Sequence, residues 1–241
     1  APGFVQVTAD SVILDVTASQ VTATAREGDI NLTGTNSNIG VAANSLNGDV
    51  TVNMNGSITH NAISGDAVSV TANGGNITQG AGRVSGSSVS LSGNNVTAQT
   101  ATSSLNVNVG PSGNATIGND SASLATNIST AGNVDVSNTG SLAGNYAANN
   151  LKLAGQSVSA DISANSVEGD ATGGNVALTS TRTNVMTVTN SSAPNGNFTL
   201  THNGALVVAG VDGRNVALSA NGGDITQGVG RITGDTIVLT G

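Results

Sequence analysis

The chain has 241 residues, 14 acidic and 6 basic side chains, a net charge of −8, 33 glycines, no cysteine and almost no aromatics. Without cysteine there is neither a disulfide framework nor a thiolate metal site. Scattered acidic charge with no basic stripe and no stacking platform makes nucleic acid a poor partner, and no apolar run is long enough for a transmembrane helix.

In chain order the sequence reads as a long series of short strands. Val5-Gln6-Val7, Ile30-Asn31-Leu32, Val50-Thr51-Val52, Val68-Ser69-Val70 and Val89-Ser90-Leu91 alternate apolar and polar residues. That period of two marks a strand with one buried face. Between the runs stand Gly-Asp, Asn-Gly, Gly-Gly and Ser-Gly pairs, which supply turns. The anchors Val12, Ile30, Val50, Val68 and Val89 form one series, and Val21, Ile39, Ile58, Ile77 and Val96 form a second. Both recur about every 20 residues, the mark of a repeat architecture. From 94 to 150 the anchors Leu105, Val107, Val109, Ile117, Leu124 and Ile128 are less even, which predicts a bulging loop or distorted turn there. Beyond them Val134-Asp135-Val136 resumes the pattern, and Val158, Val176, Phe198, Val216 and Val238 repeat the first series.

A longer repeat lies over the short one. GDAVSVTANGGNITQGAGRVSGSSVSLSG from Gly65 to Gly93 matches GRNVALSANGGDITQGVGRITGDTIVLTG from Gly213 to Gly241, and the match runs back without a gap to Gly48 and Gly196. Upstream, Val5 and Val7 align with Leu151 and Leu153, Asp15 with Asp161, and Gly28 with Gly174, so a two-residue insertion falls just after Gly40. Residues 5–93 are therefore duplicated as 151–241, with 94–150 between them. Equal register every turn suits a solenoid better than a sandwich, and a narrow interior filled by Val, Ile, Leu and Ala has little room for aromatics. The expected fold is all-β: a parallel, right-handed β-helix, one continuous solenoid over 1–241, with two or three strands per turn. At about 20 residues per turn it would make roughly twelve turns, on the order of 55–60 Å long. The chain opens in phase with a repeat at Phe4-Val5-Gln6-Val7 and stops in mid-pattern at Gly241, which reads as a fragment of a longer repeat protein.

The phrases GGNITQGAGRVSGSSVSLSG and GGDITQGVGRITGDTIVLTG, set among GDINLTG, GDVTVNMNG and GNFTLTHNG, resemble the passenger region of filamentous-haemagglutinin-like bacterial exoproteins. That resemblance covers essentially the whole chain but rests on repeat texture, and the family's secretion-recognition domain is not recognisable in it. It implies a right-handed β-helical shaft, exported by two-partner secretion, displayed extracellularly at the cell surface, and acting in adhesion, fibre formation or biofilm-matrix building.

Candidate chemistry is thin. Asp29, Asp49 and Asp66 sit in Gly-Asp turns a repeat apart, where turn formation explains them better than paired-carboxylate catalysis. The six cations, Arg26, Arg83, Lys152, Arg182, Arg214 and Arg231, are well separated in sequence. His60 and His202 are not equivalent under the repeat, lack metal-ligand spacing, and read as solvent-exposed turn residues. Gly80–Gly86 and Gly228–Gly234 superficially look like dinucleotide loops. With the wrong spacing and no following helix they are corner turns, which Arg83 and Arg231 are expected to brace. Sequons at Asn31, Asn55, Asn76, Asn95, Asn114, Asn119, Asn127, Asn190 and Asn197 are candidate glycosylation sites, with amide ladders as the structural alternative.

The functional expectation is a non-catalytic, secreted structural or adhesive shaft, without cofactor or metal. It would contact surface glycans or proteins and be able to associate end to end through unpaired strand edges. The alternative is a carbohydrate-binding or carbohydrate-cleaving β-helix. That reading requires a unique cluster of acids and bases that breaks the repeat, and none is visible along the sequence. An ice-binding face would need Thr-x-Thr in every turn, and Val21-Thr-Ala-Thr24 and Thr187-Val-Thr189 are isolated.

Overall fold

The computed structural model describes residues 3–35 and 38–241. Every described element is a β-strand, all pairings described are parallel, and the chain coils as a β-solenoid of about 12 turns with about 19 residues between successive bridges. By contacts it falls into two compact units, Ala1–Ser121 and Ala122–Gly241.

In the first unit one side of the coil is laid down by Phe4–Ala9, Gln20–Ala25, Asn38–Ser45, Ser57–Ser64, the pair Ile77–Gln79 and Val84–Ser85, then Val96–Ala101 and Ala115–Asn119. The other side is Val12–Val16, Ile30–Gly34, Val50–Met54, Ala67–Ala72, Ser88–Gly93 and Ser104–Val109. Most turns carry two strands, with a third where residues 80–83 interrupt the first side. The first anchor series stacks as read: Val12 on Ile30, then Val50, Val68 and Val89. All five are at most 3% exposed. Each inward Val removed from water contributes about 1.5–3 kcal/mol, so the interior is a sum of many equal small terms.

The second series needs one correction. Ile39, Ile58, Ile77 and Val96 do stack, but Val21 pairs with Val41 rather than Ile39. Asn38–Ser45 begins one pleat earlier than its predecessor, so two inward residues compete for the same sequence spacing. The first series needs one at the end of the second copy: Val216 lies on Ile237, the duplicate of Val89, in the same register as Val68 on Val89, while Val238 pairs with Ala217.

The corners explain the glycines. In Asn73-Gly74-Gly75 and Asn221-Gly222-Gly223 the first glycine takes a left-handed φ, +69° and +103°. The second has no room for a side chain: a Cβ on Gly75 would lie 2.2 Å from the Gly56 carbonyl carbon, and one on Gly223 2.4 Å from the Ala205 nitrogen. The repeated Asn-Gly-Gly is thus a corner where the chain turns and then presses its backbone on the previous turn. The interrupting loops are closed from within: Gln79 donates to the Gly80 and Gly82 carbonyls, and Gln227 to Gly230 at 2.7 Å.

In the second unit one side comprises Val134–Asn138, Asn150–Gly155, Ser166–Ala171, Met186–Val188 leading into Ser191–His202, Leu206–Val208, Ile225–Gln227 and Ile232–Thr233. The opposite side runs through Ser123–Ser129, Ser141–Ala147, Val158–Ser163, Val176–Ser180, the later parts of Ser191–His202 and Val211–Ala220, and Thr236–Thr240. Val158, Val176, Phe198 and Val216 stack in that order.

No bulge interrupts the strand pairings described within 94–150. Ser104–Val109 and Ser123–Ser129 alternate exposed and buried residues without interruption, and Leu124 pairs with Leu142 and Ile128 with Tyr146 in unbroken register. The uneven anchors are successive inward residues of single strands.

Candidate functional site

The turn carboxylates are occupied by the fold. Asp29 Oδ1 accepts the Asp49 N–H at 2.9 Å, and Asp49 Oδ1 accepts the Ala67 N–H one turn further on at the same distance. Each acid caps the strand that starts above it. The amides do likewise: Ser57 Oγ, Asn76 Oδ1 and Asn95 Oδ1 receive the N–H groups of Asn76, Asn95 and Asn114 respectively.

Several sequons therefore lie in ladders. Asn127 Oδ1 accepts both the backbone and side-chain N–H of Asn145, Asn197 accepts from Asn215, and Asn55 accepts from Asn73. Asn119 is buried. Its Oδ1 accepts from Thr100 Oγ1 and Thr102 N–H, and its Nδ2 donates to Thr102 O and Ser121 Oγ. Asn31 faces outward from the middle of Ile30–Gly34, and Asn190 is exposed with a left-handed φ of 41°.

Both histidines overturn the exposed-turn reading, for each is 0% exposed. His60 pairs with Val41 on an inward strand position, and its Nδ1 lies 3.1 Å from the Asn61 carbonyl while Nε2 has no partner. His202 Nε2 lies 2.7 Å from the Asn184 carbonyl and Nδ1 is bare. A neutral ring with one N–H donated to a carbonyl can occupy an apolar interior, whereas an imidazolium would have to be desolvated. Burial accordingly pushes the His60 imidazole below its ordinary 6.5. The signal in sequence lay in the duplication, since the copies place Val208 opposite His60 and Met54 opposite His202, both of them core residues.

Of the corner arginines, Arg83 bonds Asp120 Oδ2 at 2.9 Å with both side chains more than half exposed. A surface pair of this kind is worth about 0–1 kcal/mol.

One cluster escapes a reading along the sequence. Asp135, Lys152 and Glu168 are register partners on successive turns, and Asp170 stands two residues beyond Glu168 on the same outer face. Lys152 Nζ lies 2.5 Å from Glu168 Oε1. The Asp170 Oδ1 is shut off from water without a partner. Burial first, and then the charge of Glu168, raises the Asp170 carboxyl above the ordinary 3.8, with Lys152 opposing. Asp135 is raised by burial too. Aligning the copies flags this face, because Lys152, Glu168 and Asp170 stand where the first copy has Gln6, Thr22 and Thr24.

Elsewhere in this unit a shallow groove runs along Gly144, Asn145, Asp161 and Thr179 on the other side of the coil. Among the described residues no group of three or more His, Asp or Glu is placed to hold a metal ion, and no helix is long and apolar enough to cross a membrane.

No family model matches the chain, and no curated protein or solved structure matches it.

Proposed function

We propose that the chain is a non-catalytic shaft segment of a secreted, surface-displayed adhesin or fibre of the filamentous-haemagglutinin-like kind. The observation that carries this reading is the fate of the polar side chains. Asp29, Asp49, Asn76 and Asn95, the residues that recur turn after turn, bind the backbone of the next turn rather than converge on a cavity. A coil cross-linked in this way resists local opening and presents many equivalent polar positions, suited to weak multivalent contact with glycans or proteins. Unpaired strand edges of terminal turns would allow end-to-end association.

The carbohydrate-cleaving alternative draws on the Lys152–Glu168–Asp170 cluster and is opposed by the Lys152 ion pair, which already engages the Glu168 carboxyl. A carbohydrate-binding variant draws on the Asn145–Asp161–Thr179 groove. Incubation with a panel of polysaccharides, read by release of reducing or unsaturated ends, separates cleavage from the rest. The expected result is none, together with retention of the chain on immobilised cell-surface glycan or protein. Release of ends that E168Q abolishes would overturn the non-catalytic reading.

A further inference from the structure

The corners of the second unit are unequal in length, and the inequality makes a groove. Ser123–Ser129 and Val134–Asn138 are joined by residues 130–133, and Val176–Ser180 and Met186–Val188 by residues 181–185. The two corners between them, 148–149 and 164–165, have only two residues each. Short corners stay close to the coil and longer ones stand out on either side, so the stack is hollowed between them. An open groove of ≈ 430 Å³ lies there, bordered by Thr130, Ala131, Ala148, Asn149, Asn165 and Arg182. That is the size of a small-molecule site.

Its framework is rigid. Ala148 N–H donates to the Ser163 carbonyl at 3.0 Å, Asn149 N–H to the Gly132 carbonyl at 2.7 Å, and Thr187 N–H to the Asn165 carbonyl at 2.9 Å. Asn165 Nδ2 donates to Asn149 Oδ1 at 2.9 Å. That bond uses one end of each amide. Asn149 Nδ2, Asn165 Oδ1 and the Ser163 hydroxyl make no bond to another described residue.

Arg182 is the group that the fold does not use. Arg26, Arg83 and Lys152 each pair with an acid, and Arg214 and Arg231 are exposed to water. Arg182 is half-buried, yet it has neither an ion pair nor a hydrogen bond among the described residues. The corners 130–133, 148–149, 164–165, 181–185 and 203–205 contain no Asp or Glu. The strands leading into the groove bring one carboxylate, Asp161, which is exposed and unpaired with Arg182. A guanidinium that gives up part of its water calls for an acceptor, and its planar fork of donors matches a carboxylate.

The rest of the lining narrows the ligand. Alanines offer a small apolar patch for the C–H face of a sugar ring, and the free amide and hydroxyl groups suit its hydroxyls. A peptide would need an open backbone edge, and the corner N–H groups named above are already bonded to the neighbouring turn. A net charge of −8 repels dense polyanions, which favours an isolated acid on an otherwise neutral chain.

We propose that this corner groove is a subsite for a uronate residue of a sparsely acidic glycan. Arg182 clamps the carboxylate, while Asn149, Ser163 and Asn165 take ring hydroxyls. The inference rests on the surface-binding part of the function proposed above and names its glycan class. The corresponding stretch of the first copy, Gly34–Gly40, carries no cation, so the two copies together supply one such site.

The test is an NMR titration of the isotope-labelled chain with xylobiose bearing a single glucuronate. Saturable shifts of the Asn149 and Asn165 side-chain amides and of the Arg182 Nε–H are expected, with one ligand per chain. The methyl ester of the same trisaccharide keeps every ring hydroxyl and loses the charge, and it should bind about tenfold more weakly or worse. R182Q should weaken the acid by a similar factor with an unchanged melting curve, and R182K, a point charge without the fork, should fall between. Equal affinity for acid and ester overturns the subsite without recourse to any variant, as does R182Q binding like wild type. A glutamate-containing peptide or a sulfated xylo-oligosaccharide bound as tightly as the uronate overturns the assignment to a sugar carboxylate. Failure here leaves the shaft reading standing wherever the chain still holds to immobilised surfaces. A chain retained on no surface that still takes the uronate at Arg182 overturns the adhesive reading and keeps the subsite.

Discussion

Residues 5–93 and 151–241 share one repeat pattern, yet the interiors they build are packed differently. Where the first copy has Val50 the second has Phe198, 0% exposed and stacked between Val176 and Val216. The larger ring is accommodated on the facing side, where Ala23 of the first copy is Gly169 in the second. A Cβ on Gly169 would meet Val176 Cγ1 at 3.1 Å and Phe198 Cε2 at 3.8 Å. A large-for-small exchange in one place and a small-for-large exchange opposite it conserve volume, which a close-packed interior demands. The two copies also exchange His60 for Val208 and Met54 for His202. A duplicated solenoid turn can therefore drift in composition so long as each inward column keeps its fill.

The strongest way to break the comparison is to charge the same column in both copies. Val68 and Val216 are equivalent and at most 2% exposed. Val68→Asp and Val216→Asp should each cost several kcal/mol, because each buries an unpaired carboxylate. Urea unfolding measures the loss, and limited proteolysis should locate it in the unit that carries the change. An unaltered melting temperature for Val68→Asp would sink its inward assignment.

The paired exchange comes next. Phe198→Val opens a void and should cost about 2 kcal/mol, while Gly169→Ala overpacks and should cost about 1–3 kcal/mol. The double variant rebuilds the first copy's arrangement and should cost less than the sum, a coupling that a double-mutant cycle reads directly. Simple additivity would show that the two positions do not compensate.

Acid separates the copies through histidine. His60 is neutral in the fold and below its ordinary 6.5, so the unfolded chain takes up the proton first and stability falls as pH drops under 6.5. Replacing it with the second copy's residue, His60→Val, should flatten that part of the stability–pH curve. Denaturant midpoints measured from pH 7 to pH 5 check this, and a slope unchanged by the substitution would refute it.

Smaller still is Tyr146, whose hydroxyl is buried without a partner and whose ionisation burial pushes upward. Tyr146→Phe removes a desolvated hydroxyl from between Ile128 and Ile162 and should leave thermal stability equal or slightly higher. Asp49→Asn should shift stability by less than about 0.5 kcal/mol, since an amide oxygen can still accept the Ala67 N–H.

The strand alternation and the 12–30–50–68–89 column were legible because a period of two and a period of one turn are both local arithmetic on apolar residues. The column that sequence spacing misaligns, Val21 against Ile39, straddles a strand start where residues are gained. Hydrophobicity cannot count through such a start, because backbone geometry decides how many residues it absorbs. His60 and His202 were misplaced for a related reason: a polar type suggested the surface, while their strand phase pointed inward.

The sequence by itself determined the class of fold, the length of a turn, the duplicated block and most of the interior, since these follow from repetition and from which residues water expels. The tertiary structure decided which residues of different turns meet. Asp135, Lys152, Glu168 and Asp170 are scattered along the sequence, and only parallel stacking at strand separation brings their charges within range of one another.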